Sequence, residues 1–420
     1  MLIALDGLKV PISLHNCDEI IRPLLAMLGS WRFRILENGD RTAPEPAAPI
    51  SVVRGSRSYE ISSPWLDEPV EEQTEVGAAF SLSAELARAF AEERPGLLCL
   101  HCAAVETDGR LLLFPNGENA GKSTLATSLA ARGLRLFADD VLAISETFQH
   151  GISLGIAPRL RLPLPQSGGI SFHGFVESHR GPFDKEFLYL ALPAARLAQH
   201  GQTAPIGATV LLDRRLSTSV RLTPLARGRA LRQLIIQNFA PGGTSVTTID
   251  RLYRMIERVA CFAFTYSNLD EAADFLSDQF SAAHAPWRED TMDQVQEKRD
   301  SEITVEVTYS SNQPWSAEFT QVPGVTLRAV DNDIFLVNCN DAAVFHLNAV
   351  AASLWHILER PTTLAMAIDA VRQAFPGADA RRVKRDVRSV FDALQQGGLI
   401  RAMHEGDRVW EGSVERSAGR

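Results

Sequence analysis

The stretch FPNGENAGKST, residues 114–124, ends in Gly121-Lys122-Ser123-Thr124. That is the end of a phosphate-binding loop of the form G-x-x-x-x-G-K-[ST]. Such a loop turns sharply from a strand into a helix, where free backbone N–H groups and the helix dipole meet phosphate oxygens. The lysine then reaches the β- and γ-phosphates, and the Ser/Thr hydroxyl ligates Mg2+. Here LLLF reads as the strand, and the helix runs from Ser123 to Arg132, closed by Gly133. The first consensus glycine is replaced by Asn116, and Gly117, Glu118, Asn119 and Ala120 complete the loop. Asparagine is the non-glycine residue that most readily accepts a left-handed backbone. Asn116 and Asn119 are therefore expected to fill turns that glycine usually fills.

Asp139 and Asp140 end the next strand, LRLFA. Phosphoryl transfer needs a carboxylate to hold Mg2+, directly or through water, and an alcohol acceptor also needs a base to orient its hydroxyl. Two adjacent aspartates beside the loop can fill both roles. The alternative is one Mg2+-side aspartate with an incidental neighbour, as in an enzyme that hydrolyses ATP. Upstream, Cys99 and Cys102 flank His101 in LLCLHCAAV. One C-x-x-C cannot supply a four-ligand zinc site. The stretch reads as a continuous strand, with Cys99 and His101 on one face and Cys102 on the other. Buried thiols in a reduced cytoplasm are the better reading.

The elements that must position these residues are mixed α/β. Residues 1–96 carry short strand-like runs (WRFRIL, ISVVR, YEISS) interrupted by TAPEPAAP, then a helix over 81–93 with Leu82, Leu86 and Phe90 four apart. Beyond the aspartates come APRLRLPLP (extended), ATVLLDRR (strand), and the helices ALRQLIIQNFA and NLDEAADFLSDQF. The charged segment HAPWREDTMDQVQEKRDSEIT lacks an apolar face and reads as linker. The expected organisation is a P-loop domain over 1–283 with a strand-rich part at 1–96, a linker at 284–320, a compact unit at 321–404 and a polar tail at 405–420. A chain of 420 residues has room for such a plan. Its net charge of −9 gives no sign of a nucleic-acid binder, and no apolar run approaches the ~18 residues a membrane span needs. Its five cysteines make no disulfide framework.

H-x-A-A-V, a strand, the loop, a helix ending in R-G-L and a strand ending in A-D-D together resemble the HPr kinase/phosphorylase superfamily, above all its HPr kinase-related branch. The resemblance covers about 97–145 and extends weakly to about 280. It implies ATP- and Mg2+-dependent transfer of the γ-phosphoryl group to a serine. By residue match, Lys122 contacts phosphate, Ser123 ligates Mg2+, Asp139 is the base and Asp140 the Mg2+-side carboxylate, the last two being open to exchange. His101 belongs near the phosphates or the acceptor, or is a packed strand residue. The family's second signature, a Glu/Arg/Gly-rich loop, has no match, so neither HPr as substrate nor the reverse reaction carries over. Arg159 and Arg161 can replace its electrostatic role, since guanidinium groups clamp transferring phosphoryl oxygens; the alternative is an outward face of an amphipathic strand. Lys185 is a weaker candidate for the same role.

VTLRAV, DIFLVN and AAVFHL followed by three helices resemble the PqqD family over about 321–402, with Glu359-Arg360 where that family has Asp-Gly. The resemblance implies a small α+β, winged-helix-like unit that binds the leader of a ribosomally made precursor peptide. The leader would add as a strand beside about 342–347, including Val344, Phe345 and His346, and pack on the third helix. In that helix Val383, Val387, Val390, Phe391 and Leu394 form an apolar stripe, and Arg381, Arg385 and Arg388 lie opposite. The arginines suit an acidic leader, or are a solvated face. The combined reading is a cytoplasmic peptide kinase, which can also work beside other peptide-modifying enzymes. The rival readings are a kinase for a small molecule or another protein, and a nucleotide-regulated peptide adaptor. Nothing in the motifs specifies an oligomeric state.

Overall fold

The computed structural model describes residues 1–36, 49–117, 119–240, 243–284, 317–338, 340 and 343–403. They divide into two compact units, one within 1–243 and 248–295 and the other within 296–420 together with 244–247. Most of the expected linker, the whole polar tail, Glu118 and residue 342 lie outside the described residues. The architecture is mixed α/β with several sheets. Among the described residues no helix is long and apolar enough to cross a membrane.

The N-terminal part of the first unit is a six-stranded sheet, in the order Phe33–Leu36, Leu2–Leu5, Ile12–His15, Ile50–Arg54, Tyr59–Ser62 and Val70–Glu72. Its alternating strands bury Ile12 and Leu14, and Ile50 and Val52, on one side. The helix Glu75–Glu92 closes that side. It starts six residues before the expected point because the Thr74 hydroxyl caps it, accepting from the Gly77 N–H. Leu82, Leu86 and Phe90 are all buried, each contributing roughly 1.5–3 kcal/mol. The same core includes Cys99, Ala143, Leu154 and Tyr189, so this part shares its interior with the loop-bearing part.

The second sheet has nine strands. Its path runs Arg135–Ala138, Ala103–Thr107, Arg110–Phe114, Thr203–Arg214, His150–Ser153, Leu142–Ile144, Leu98–Leu100; Ala260–Tyr266 pairs with Thr203–Arg214, and Arg221–Pro224 pairs with Ala260–Tyr266. Arg110–Phe114, Thr203–Arg214 and Ala260–Tyr266 are mutually parallel, so their carboxyl ends share one edge. Ligands of open α/β sheets bind at such an edge. The helices Lys122–Ala131 and Leu269–Gln279 cover the face formed by Leu112, Phe114, Val210, Leu212 and Phe264. A small sheet of Arg159–Arg161, Phe187–Leu190 and Arg180–Phe183 stands beside it, with Lys185 exposed in its turn.

The second unit has the strands Thr326–Val330, Asp333–Val337 and Val344–Leu347 in that order, then the helices Ala349–Ile357, Leu364–Ala374 and Ala380–Gln396. Asn348 caps the first helix, accepting from the Ala351 N–H. Trp355 and the stripe Val383, Val387, Val390, Phe391 and Leu394 form the core. A further sheet of Thr362–Thr363, Glu318–Gln321 and Ile400–Ala402 has strands too short to announce themselves in the sequence.

Candidate active site

The strand Arg110–Phe114 runs into the loop, and the helix opens at Lys122 with Gly121 at φ 85°. Asn119 is left-handed at φ 59°, as expected of an asparagine in a glycine turn. Asn116 is not among the residues of positive φ, which corrects that expectation. Its side chain instead pairs with one residue of the neighbouring strand, donating to the Leu212 carbonyl at 2.9 Å and accepting from the Leu212 N–H at 2.8 Å. Glycine could not make this anchor. Gly117 also lacks a positive φ. Lys122 is 7% exposed, and its ammonium donates to the carbonyls of Asn116 at 2.8 Å and Gly117 at 3.0 Å. At Gly121 a side chain would lie 3.2 Å from the Tyr266 hydroxyl. Thr124 and Ala120 are half-buried beside it.

The expected strand through Cys99, His101 and Cys102 is broken. Leu98–Leu100 pairs with Leu142–Ile144, and Ala103–Thr107 pairs with Arg135–Ala138. Leu142 is opposite Leu100 and Ala138 is opposite Ala104, so both chains of this antiparallel ribbon are interrupted at the same level. His101 lies in one interruption and Asp139-Asp140 in the other. The His101 N–H donates to the Gln237 carbonyl at 2.8 Å, outside the ribbon. Cys99 and Cys102 are buried free thiols, and burial pushes each up to about 12.

Asp139 is 5% exposed. One carboxylate oxygen accepts from the Arg159 N–H at 2.9 Å, and Ser123 of the loop favours the charged form of the carboxylate. The other oxygen, Oδ1, is buried without a partner in the structure. Burial, then the neighbouring Asp140, raise its pKa against the Arg159 N–H bond and the influence of Ser123. Asp140 is more open, its side chain 34% exposed. His101 Nε2 lies 3.4 Å from one of its oxygens and the Arg159 guanidinium 3.3 Å from the other. Burial would raise Asp140 too, but the His101 hydrogen bond and the charges of Arg159, His101 and Lys122 outweigh it and lower the pKa. The adjacent aspartates are thus electrostatically unlike, which is what separate acid–base roles require.

Arg159 and Arg161 point to the same face of their strand, with Leu160 buried opposite. Only Arg159 reaches the aspartates; Arg161 is exposed, 5.6 Å from the Phe187 ring. Sequence reasoning missed the aromatic residues around Arg159, namely Phe80, Phe187 and Tyr189, which lie in no motif. The alternation FLYL could have marked the last two as one face of a strand.

In the second unit, Val344–Leu347 is at the edge of its sheet. The three residues expected to act together there lie on two faces. Phe345 packs on the end of the third helix, so close to Gly397 that a side chain there would overlap the ring. Val344 and His346 are on the opposite face, where His346 lies 3.1 Å from Asp333 and 4.9 Å from the Phe335 ring. Arg381 and Arg385 are exposed and Arg388 is half-buried, with Arg385 3.6 Å from Asp386.

Residues 334–400 match the sequence model of the family described as Coenzyme PQQ synthesis protein D (PqqD). The second unit carries a PqqD domain. Among solved structures, the chain is similar to TbiB1 in complex with the TbiA(beta) leader peptide, at 23% identity over 20% of this chain and 99% of that one, with a TM-score of 0.19. It is also similar to the Hpr(Ser) kinase/phosphatase from Coxiella burnetii, at 13% identity over 43% of this chain and 91% of that one, with a TM-score of 0.23. A comparison with curated proteins found no match.

Proposed function

We propose that this chain is an ATP- and Mg2+-dependent kinase that phosphorylates a serine or threonine of a ribosomally made precursor peptide, whose leader is held by its winged-helix-like PqqD domain. One observation carries the catalytic half: Asp139 in the sheet gap has a buried, unpartnered carboxylate oxygen and feels Ser123 of the loop, so the loop and the aspartate pair meet in one site.

The residues fit both groups. The helix opening at Lys122 offers N–H groups and a dipole to phosphate. Buried polar atoms are rarely left unpaired, and the partnerless Asp139 oxygen beside Ser123 is a lone pair that a divalent cation would satisfy. When bound, Mg2+ would neutralise charge on the phosphate oxygens. On this geometry Asp139 is the carboxylate on the Ser123 side and Asp140 the one on the open side, beside His101. That exchanges the roles assigned by residue match. Asp140, held ionised by Arg159 and His101, orients the acceptor hydroxyl and takes its proton at a carboxylate oxygen. Lys122 draws negative charge into the loop, and the Arg159 guanidinium steadies charge developing beside Asp140.

The peptide half rests on the PqqD domain and on the edge strand Val344–Leu347, which offers main-chain groups for a leader to pair with. The exposed Arg381 and Arg385 suit an acidic leader. Such a peptide is made in the cytoplasm, which we take as the site of action. The test is to incubate the full-length protein with ATP, Mg2+ and a leader-bearing precursor, and to look for a phosphate added to a Ser or Thr. Absence of that product, with nucleotide binding intact and sensitive to Lys122→Met, rejects the reading.

A further inference from the structure

Residues 1–96 carry no motif, yet one of their side chains reaches the aspartate pair. Phe80 projects from the helix Glu75–Glu92, and the Arg159 guanidinium carbon lies 3.9 Å from the centre of its ring. The same carbon lies 4.4 Å from the centre of the Phe187 ring. The guanidinium also donates to Asp140 at 3.3 Å. Phe80, Asp139, Asp140, Arg159 and Tyr189 line one small cavity.

The arrangement has a physical logic. An arginine side chain carries much rotamer freedom, and an unrestrained one would sample many positions around a carboxylate. A ring face attracts the guanidinium through its quadrupole. That contact uses the flat face of the cation and leaves its in-plane N–H donors directed outward at the edge. Rings can therefore fix the plane of Arg159 without competing for the donors that face Asp140.

We propose that Phe80 is a positioning residue of the transfer site, acting through Arg159, so that the strand-rich N-terminal part completes the site. The shared core supports this. Phe80 is partly buried against the cluster that contains Cys99, Ala143 and Tyr189, so its helix is packed on the elements that carry the aspartates. The proposal rests on the kinase reading of the same site.

The test is a double-mutant cycle in the full-length protein, with two readouts. In the phosphoryl-transfer assay, Phe80→Ala lowers kcat about tenfold with the KM for ATP little changed, as expected for a lost cation–π contact near a reacting group. Phe80→Tyr restores kcat and Phe80→Leu does not. In the Arg159→Ala background, Phe80→Ala adds no further loss, because coupled residues are not additive. Equal losses in both backgrounds, or full activity with leucine, overturn the proposal. The second readout needs no activity. In 15N-arginine NMR, the Arg159 Nε–H signal, assigned by its loss in Arg159→Lys, is ring-shifted and moves to the exposed range in Phe80→Ala. An unmoved signal overturns the proposal. If the signal moves in Phe80→Ala while the wild type phosphorylates no peptide, the kinase reading is overturned and the positioning of Arg159 is supported.

Discussion

Asp139 is a carboxylate placed where its charge is unwelcome, with a buried, unpartnered oxygen and a second aspartate beside it. Its pKa rises from 3.8 to about 7, so between those values the folded chain holds a proton that the unfolded chain has lost. Stability attributable to this residue therefore falls as pH rises through that window. Asp139→Asn removes the charge while leaving an amide oxygen for the Arg159 N–H. Thermal unfolding should show the variant gaining on the wild type as pH rises from about 4 to about 7, while phosphoryl transfer is lost. A difference in Tm independent of pH would refute the account. The types of residue at this site were legible in the sequence, because a Gly-Lys-Ser-Thr run before a helix and an Asp pair after a strand have few other uses. The charge difference within the pair was not, since it depends on Ser123, His101 and Arg159 arriving from three other segments.

At the scale of elements, two locally misleading stretches share a cause. Asn116 occupies a consensus glycine position, and sequence logic assigned it a glycine's backbone. Its actual partner, Leu212, lies 96 residues away. Asn116→Gly restores the consensus yet removes two hydrogen bonds, at a cost of about 1–3 kcal/mol. We expect it to lower Tm and raise the KM for ATP; a lower KM would show that the loop wants the glycine. LLCLHCAAV reads as one strand because every residue in it suits a strand. Only the change of partners, from Leu142–Ile144 to Arg135–Ala138 and Arg110–Phe114, exposes the break at His101. A third element has its own pH signature. The His200 ring stacks on Trp31 at 3.9 Å and bonds the Leu154 carbonyl, joining the N-terminal part to the segment before Arg159. Burial first, and then the charge of Arg94, lower its pKa against that hydrogen bond. A depressed histidine contributes stability present above 6.5 and lost as pH falls through its folded value. His200→Phe, which keeps the stack without the ionisation, should flatten the fall in Tm below pH 6.5.

For the whole molecule, the mixed α/β plan and the three C-terminal helices were legible because apolar periodicity is strong in them. The small sheet containing Glu318–Gln321 was not, since its strands are two to four residues long. If the PqqD domain delivers the substrate, tethering raises the overall avidity for the precursor by about 10²–10⁴ over either contact alone. A leader-bearing precursor should then be phosphorylated far faster than the leaderless core at low concentration, and added free leader should inhibit. Equal rates would leave the kinase and remove the tether. The paired interruption that presents His101 and Asp140 has one more consequence. It is bounded above and below by backbone ladders belonging to a single nine-stranded sheet. Arg135–Ala138 and Leu98–Leu100 are the two ends of the strand path, so the amides of these ladders should exchange before those of the central strands. Fraying of either end strand would loosen one wall of the gap while the central strands stay paired.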